Sequence, residues 1–161
     1  MSARLVRTTG FAGRRPRRTL TWLQNSGVET LAAGTGSNRD LGAASSTDAL
    51  GTVMRLLLYV TVENWAAAAD IITLGTVKGR AADIGTSPLL ASMPGLDWSF
   101  MGPIYPTSAG ATVNAVQTYK FDLKSRRKVE EVDERYLVCF DNGSAASKTL
   151  QWFSRLLVAE P

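Results

Sequence analysis

The sequence predicts an all-β chain: a single antiparallel eight-stranded jelly-roll sandwich preceded by an N-terminal basic arm. Three observations predict it. Past residue 18, apolar residues recur mostly with a period of two, the spacing of half-buried strands. Turn signals separate these runs, with long and short connections alternating. The length, 161 residues, is one domain's worth and enough to bury a core without staples. The expected division is an arm over 1–18 and a sandwich domain over 19–161.

The elements follow in order. Thr19 to Gln24 begins with alternation and ends at the turn signal Asn25-Ser26-Gly27; Val28 to Ala32 is a weaker candidate. Ala33 to Gly51 is rich in Gly, Ser, Ala and Asn and is expected to be a loop, short of apolar side chains. Thr52 to Glu63 is the clearest strand. Met54, Leu56, Leu58, Val60 and Val62 fall on one face, and Arg55, Tyr59, Thr61 and Glu63 on the other, with Val53 and Leu57 partly covered. Asn64 to Ala69 is expected to form a short helical turn on its alanines. Asp70 to Lys78 reads as the next strand. Arg80 to Gly95, with Pro88 and Pro94, reads as loop. Asp97 to Met101 is a short strand running into Gly102-Pro103.

The last third is the most regular. Ala115, Gln117, Tyr119, Phe121 and Leu123 alternate with Val116, Thr118, Lys120, Asp122 and Lys124. Val129 to Arg135 has roughly helical spacing and is expected to be a turn. Arg135 to Asp141 is mostly apolar, as in a strand covered on both faces. Asp141-Asn142-Gly143-Ser144 is a turn signal. Leu150, Trp152, Leu156 and Val158 then share one face of Thr149 to Ala159.

Composition excludes most catalytic designs. The chain has no histidine, the commonest general base and transition-metal ligand. Its single cysteine, Cys139, permits no internal disulfide and is too few for a thiolate metal site. Flanked by Val138 and Phe140, it reads as a small buried hydrophobe. Gly34-Thr35-Gly36 fails as a dinucleotide loop, because Arg39 stands where a glycine is needed. Glu130, Glu131, Asp133 and Glu134 lack the spacing of a calcium loop. Asn142-Gly143-Ser144 is better explained by turn chemistry than by glycosylation. The expectation is a non-enzyme with no catalytic residue, metal or cofactor. The best apolar run, Val53 to Val62, is interrupted by Arg55 and far below the ~20 residues of a membrane span. The chain reads as soluble and made in a reducing compartment.

The charge has an address. Residues 1–18 carry Arg4, Arg7, Arg14, Arg15, Arg17 and Arg18 and no acid, a net of +6. From residue 19 onward there are 12 basic and 14 acidic side chains, a net of −2. Gly10, Gly13 and Pro16 disfavour regular structure in the arm. Arginine's planar fork suits phosphate oxygens, so the arm reads as a sequence-independent binder of a nucleic-acid backbone. A solvated tail or a transport signal is the plainer alternative. A second cluster, Lys120, Lys124, Arg126, Arg127 and Lys128, runs straight into the acids from Glu130 to Glu134. It reads first as a solvated turn laced with ion pairs and second as a further phosphate-binding patch.

Several elements together resemble the single jelly-roll capsid proteins of small circular single-stranded DNA viruses that encode a replication initiator. They are the Arg-rich arm, Asp97-Trp98-Ser99-Phe100, Gly102-Pro103-Ile104-Tyr105-Pro106 and Asp122-Leu123-Lys124-Ser125-Arg126-Arg127-Lys128. With them go the acidic turn before Glu134-Arg135-Tyr136-Leu137-Val138-Cys139-Phe140, and Phe153-Ser154-Arg155-Leu156-Leu157. The resemblance covers the arm and residues 95–158. It implies a coat subunit that assembles with itself, about 60 copies in the smallest icosahedral shell, around a viral genome. That genome is single-stranded DNA, with RNA open because small RNA viruses use the same roll. It also implies residence in the virion after assembly in the host nucleus or cytoplasm, and no membrane partner. Lys124, Arg126, Arg127 and Lys128 join the six arm arginines as candidate nucleic-acid contacts. Aromatics such as Trp65, Tyr105 and Trp98 are candidate subunit contacts; each also fits the core, which is the better place for Trp98. Two rivals stand beside this reading: a cellular module that binds single strands, and a non-viral jelly-roll oligomer. The first needs cations interleaved with aromatics on one strand face. Along the sequence only Tyr119-Lys120-Phe121 offers that, and those residues alternate between faces.

Overall fold

The computed structural model describes residues 18–45, 48–80, 97–107 and 115–160. Among them lie eight strands: β1 (Leu20–Leu31), β2 (Gly36–Ala43), β3 (Gly51–Trp65), β4 (Ile72–Arg80), β5 (Asp97–Ile104), β6 (Ala115–Val129), β7 (Glu134–Asn142) and β8 (Lys148–Ala159). They form two four-stranded antiparallel sheets, in the orders β1-β8-β3-β6 and β2-β7-β4-β5. Every connection except β4 to β5 crosses from one sheet to the other. That winding is a jelly roll. The arm as far as Arg17, residues 81–96 with all of the expected Arg80 to Gly95 loop but Arg80 itself, and the side chain of Trp98 lie outside the described residues.

β1 runs straight through Asn25-Ser26-Gly27, where the sequence suggested a turn. It is paired with β8 along its whole length, from Leu20↔Ala159 to Leu31↔Lys148. Gly27 serves packing rather than turning: a Cβ there would sit 2.9 Å from the indole nitrogen of Trp152. Asn25 donates from Nδ2 to the Leu41 carbonyl at 3.2 Å and so ties β1 to the other sheet. β2 lies inside the stretch expected to be loop. It buries one large apolar side chain, Leu41, and is an edge strand held by its backbone ladder to β7. Arg39 on β2 adds a forked pair of hydrogen bonds to the buried Glu29 carboxylate on β1.

β3 matches its expected strand, with one exchange. A bulge between Val53 and Arg55 reverses the alternation, so Val53 is fully buried and Met54 only half-buried. β3 continues to Trp65, which is fully buried rather than a surface contact. The expected helical turn after it is a tight non-helical one. There Asp70 Oδ2 accepts the Ala66 and Ala67 amides at 2.8 and 3.0 Å. β5 also outruns its expected length, passing through Gly102-Pro103 to Ile104. As an edge strand it tolerates a proline.

The core lies between the sheets. Leu56, Leu58, Val60 and Val62 of β3 and Leu150, Trp152, Leu156 and Val158 of β8 face Ile72 and Leu74 of β4 and Tyr136, Val138 and Phe140 of β7. Ring pairs bridge the layers: Phe140–Trp152 at 6.4 Å and Phe100–Phe121 at 5.6 Å between centroids. β7 is buried on both sides, Leu137 and Cys139 included, as its unbroken apolar run predicts. Burial pushes the Cys139 thiol up to about 12, so it stays protonated and inert. Past Asn142 the turn is held by that residue's own amide. It donates to the carbonyls of Leu31, Ala32 and Ala146 at 3.0–3.1 Å.

One buried position breaks the apolar pattern. Lys148 opens β8 with no exposed surface. Its Nζ donates to Asp70 Oδ2 at 2.6 Å and to the Asn64 carbonyl at 3.1 Å, and lies 5.9 Å from the Trp65 ring centre.

Candidate nucleic-acid interface

The basic run at Lys124 to Lys128 is strand, not turn: β6 carries it as far as Val129 before the chain turns at residues 130–133. Strand alternation then divides it. Lys124, Arg126 and Lys128 are exposed on the outer face of β1-β8-β3-β6, and Arg127 is half-buried on the opposite side. Arg18 is exposed immediately before β1, at the other edge of the same sheet. The remaining arm arginines, Arg4, Arg7, Arg14, Arg15 and Arg17, lie outside the described residues.

The registers place the outward side chains in rows across the four strands. One row reads Trp22, Leu157, Arg55, Lys124; the next Gln24, Arg155, Leu57, Asp122. A third reads Ser26, Phe153, Tyr59, Lys120, and a fourth Val28, Gln151, Thr61, Thr118. Rings and cations therefore meet between strands. The Arg155 guanidinium lies 4.8 Å from the Trp22 ring centre, and Lys120 Nζ 5.6 Å from that of Tyr59. Tyr59 and Phe153 pack at 6.3 Å. A shallow depression of about 380 Å³ opens beside them, lined by Val28, Tyr59, Thr61, Gln151 and Phe153 among others.

The face is electropositive. On the four strands it carries Arg55, Lys120, Lys124, Arg126, Lys128 and Arg155 against Glu63 and Asp122, six cations and two carboxylates for a net of +4, with Glu130, just past β6, 3.7 Å from Lys128 at the rim. The other described side chains from residue 19 onward are six basic and ten acidic, a net of −4. Arg55 neutralises Asp122 through a forked pair of bonds at 2.8 and 2.6 Å. The hydrogen bond from Arg55, with the charges of Arg55, Lys120 and Lys124, holds the Asp122 carboxyl below its usual range. Lys120, Lys124, Arg126 and Arg155 have no ion-pair partner among the described residues.

Lys124, Arg126 and Lys128, conspicuous along β6, share this surface with Trp22, Tyr59, Phe153 and Arg155, which nothing in the sequence brings together, while Arg127 points away from it. The signal was a difference of register, which no single strand displays. Among the described residues no group of acids and cysteine is placed to hold a metal ion, and no helix is long and apolar enough to cross a membrane.

No family model matches this chain, and no curated protein does. Solved structures do. Tobacco streak virus coat protein is similar at 16% identity over 93% of each chain, with a TM-score of 0.37. The 60-mer BFDV capsid protein is similar at 9% identity, over 89% of this chain and 95% of that one, with a TM-score of 0.37. Eiger TNF from S. frugiperda is similar at 9% identity, over 87% of this chain and 94% of that one, with a TM-score of 0.46. Coat proteins and a TNF stand side by side in this set, and architecture by itself does not choose a function.

Proposed function

We propose that this chain is a non-catalytic viral coat subunit that closes with copies of itself into an icosahedral shell and packages nucleic acid. The observation that carries the reading is charge placement. Six arginines and no acid precede an edge strand of the roll, and the sheet entered by that strand turns a net +4 face outward. A polyanion held at the arm then meets the same side of the folded body. Binding of this kind is backbone-directed and needs no catalytic group. The genome is single-stranded DNA in this reading, and single-stranded RNA satisfies the same chemistry.

The test is to purify the full-length chain and a variant lacking residues 1–17. The full-length protein is expected to sediment as a closed particle with nucleic acid inside, seen as a raised ratio of absorbance at 260 to 280 nm. The truncated protein is expected to keep a β-dominated circular dichroism spectrum and lose most of that nucleic acid. A protein that stays monomeric or dimeric at high concentration with nucleic acid present overturns the coat reading. The ring-and-cation face favours the second reading in that case, a small single-strand-binding module. Equal nucleic acid in the two preparations assigns the arm another role.

A further inference from the structure

We propose that the outer face of β1-β8-β3-β6 is a stacking platform for single-stranded nucleic acid, with Trp22, Tyr59 and Phe153 taking bases and Arg155, Lys120 and Lys124 taking phosphates. It rests on the packaging reading above and says where the folded body meets the strand.

Large rings stand open to solvent here. Trp22 is 37% exposed and Phe153 38%, with Val28 at 64% beside the depression. Each ring cluster carries its own cation, Arg155 on Trp22 and Lys120 on Tyr59. Neither makes an ion pair with an acid of the described residues, and Asp122, whose charge Lys120 feels, is already bound by Arg55. An exposed ring beside an unpaired cation is how single strands are bound without base readout. The charge split makes this face, and not the rest of the body, the one a polyanion approaches. An acidic surface of a second copy is the rival occupant. Its carboxylates take the cations but leave the ring faces uncovered.

Charge counting also asks for a contribution beyond the arm. About 60 arms bring roughly 360 positive charges to a polymer with one charge per nucleotide. Coding for this chain alone takes roughly 480 nucleotides, one phosphate each. A net +4 face on each copy adds roughly 240 more, enough to pass that one-gene minimum.

The experiment is a binding titration of the full-length protein by fluorescence anisotropy over a salt series. The probes are an oligothymidylate about twenty nucleotides long and an abasic deoxyribose-phosphate oligomer of equal length, both long enough to span the roughly 4–16 nucleotides that one such platform covers. The wild type is expected to bind oligothymidylate at least about tenfold more tightly than the abasic chain. Trp22→Ala with Phe153→Ala should remove most of that preference, Tyr59 alone remaining, and leave the salt slope unchanged, since no phosphate contact is lost. Trp22→Phe with Phe153→Tyr should restore the preference. Arg155→Gln should lower the slope by about 0.7, one phosphate on a single strand. Equal wild-type affinity for both probes overturns the platform and leaves packaging by the arm standing. Binding to neither probe overturns the packaging reading itself. If the alanine pair abolishes particle formation while the preference for oligothymidylate persists, the face is a contact between copies and the platform is wrong. Should the alanine pair fail to fold, the wild-type comparison of the two probes still decides.

Discussion

Lys148 shows how a single residue sets the chain's tolerance of acid. It has no exposed surface, and Asp70, its partner, is buried as well. Burial by itself raises the Asp70 pKa. The hydrogen bonds from Lys148, Ala66 and Ala67 outweigh it, and the carboxyl titrates below its usual range. Glu134 repeats the pattern, with burial opposed by Lys78 at 2.7 Å and by the amides of Glu131 and Glu130. A carboxyl whose folded pKa is depressed stabilises the fold fully above its unfolded value, about 4. That contribution is lost as pH falls through the folded value. Thermal melts should therefore hold steady from pH 7 down to about 5 and fall steeply below about 4. Lys148→Met leaves a buried carboxylate unpaired and should cost about 3–5 kcal/mol in urea unfolding. Adding Asp70→Asn should recover part of that loss, because an amide oxygen still accepts the Ala66 and Ala67 amides without a charge. None of this was legible in the sequence, where Lys148 stands 78 positions from its partner and looks like any surface lysine before a strand.

At the scale of the element, legibility followed the hydrophobic pattern. β3, β6 and β8 alternate, face the core with large side chains, and stood where the period of two put them. β1 and β2 were hidden for separate reasons. β1 contains Asn-Ser-Gly in mid-strand because Trp152 takes the space above Gly27, and a turn signal and a packing gap are spelled alike. β2 needs its backbone ladder more than its side chains, so its Gly- and Ser-rich letters read as loop. Gly27→Val should overpack Trp152 and destabilise the fold by about 1–3 kcal/mol. It should also shift the tryptophan emission, since the indole cannot stay where it is. The candidate interface was half legible for a related reason. Lys124, Arg126 and Lys128 advertise themselves along β6. The rings that share their face stand on β1, β3 and β8, beside Arg155 and Lys120, and a test for ring–cation alternation along one strand passes over them. Rings and cations that no single strand interleaves are neighbours across the rows.

For the whole molecule, a body of net −2 in sequence becomes, when folded, a body with a positive side. Lys120→Glu with Lys124→Glu lowers the face from +4 to neutral without touching the core. Folding stability should then change by no more than about 0.5 kcal/mol per site. Nucleic acid recovered per particle should drop while the particles still form. Particles that carry as much nucleic acid as before would move the contact to the arm alone.

The roll also brings two distant stretches of chain to one corner. The Glu160 amide donates to the Thr19 carbonyl at 2.9 Å, and Thr21 Oγ1 donates to a Glu160 carboxylate oxygen at 2.6 Å. Whatever compartment the arm enters, a peptide spliced on after residue 161 sets out from beside it. Such an extension is a ready reporter of sidedness. A protease site placed there should resist digestion in an intact particle and be cut once the particle is opened. In the proposed shell, an enzyme or dye fused at that position is expected to be carried on the same side as the arm.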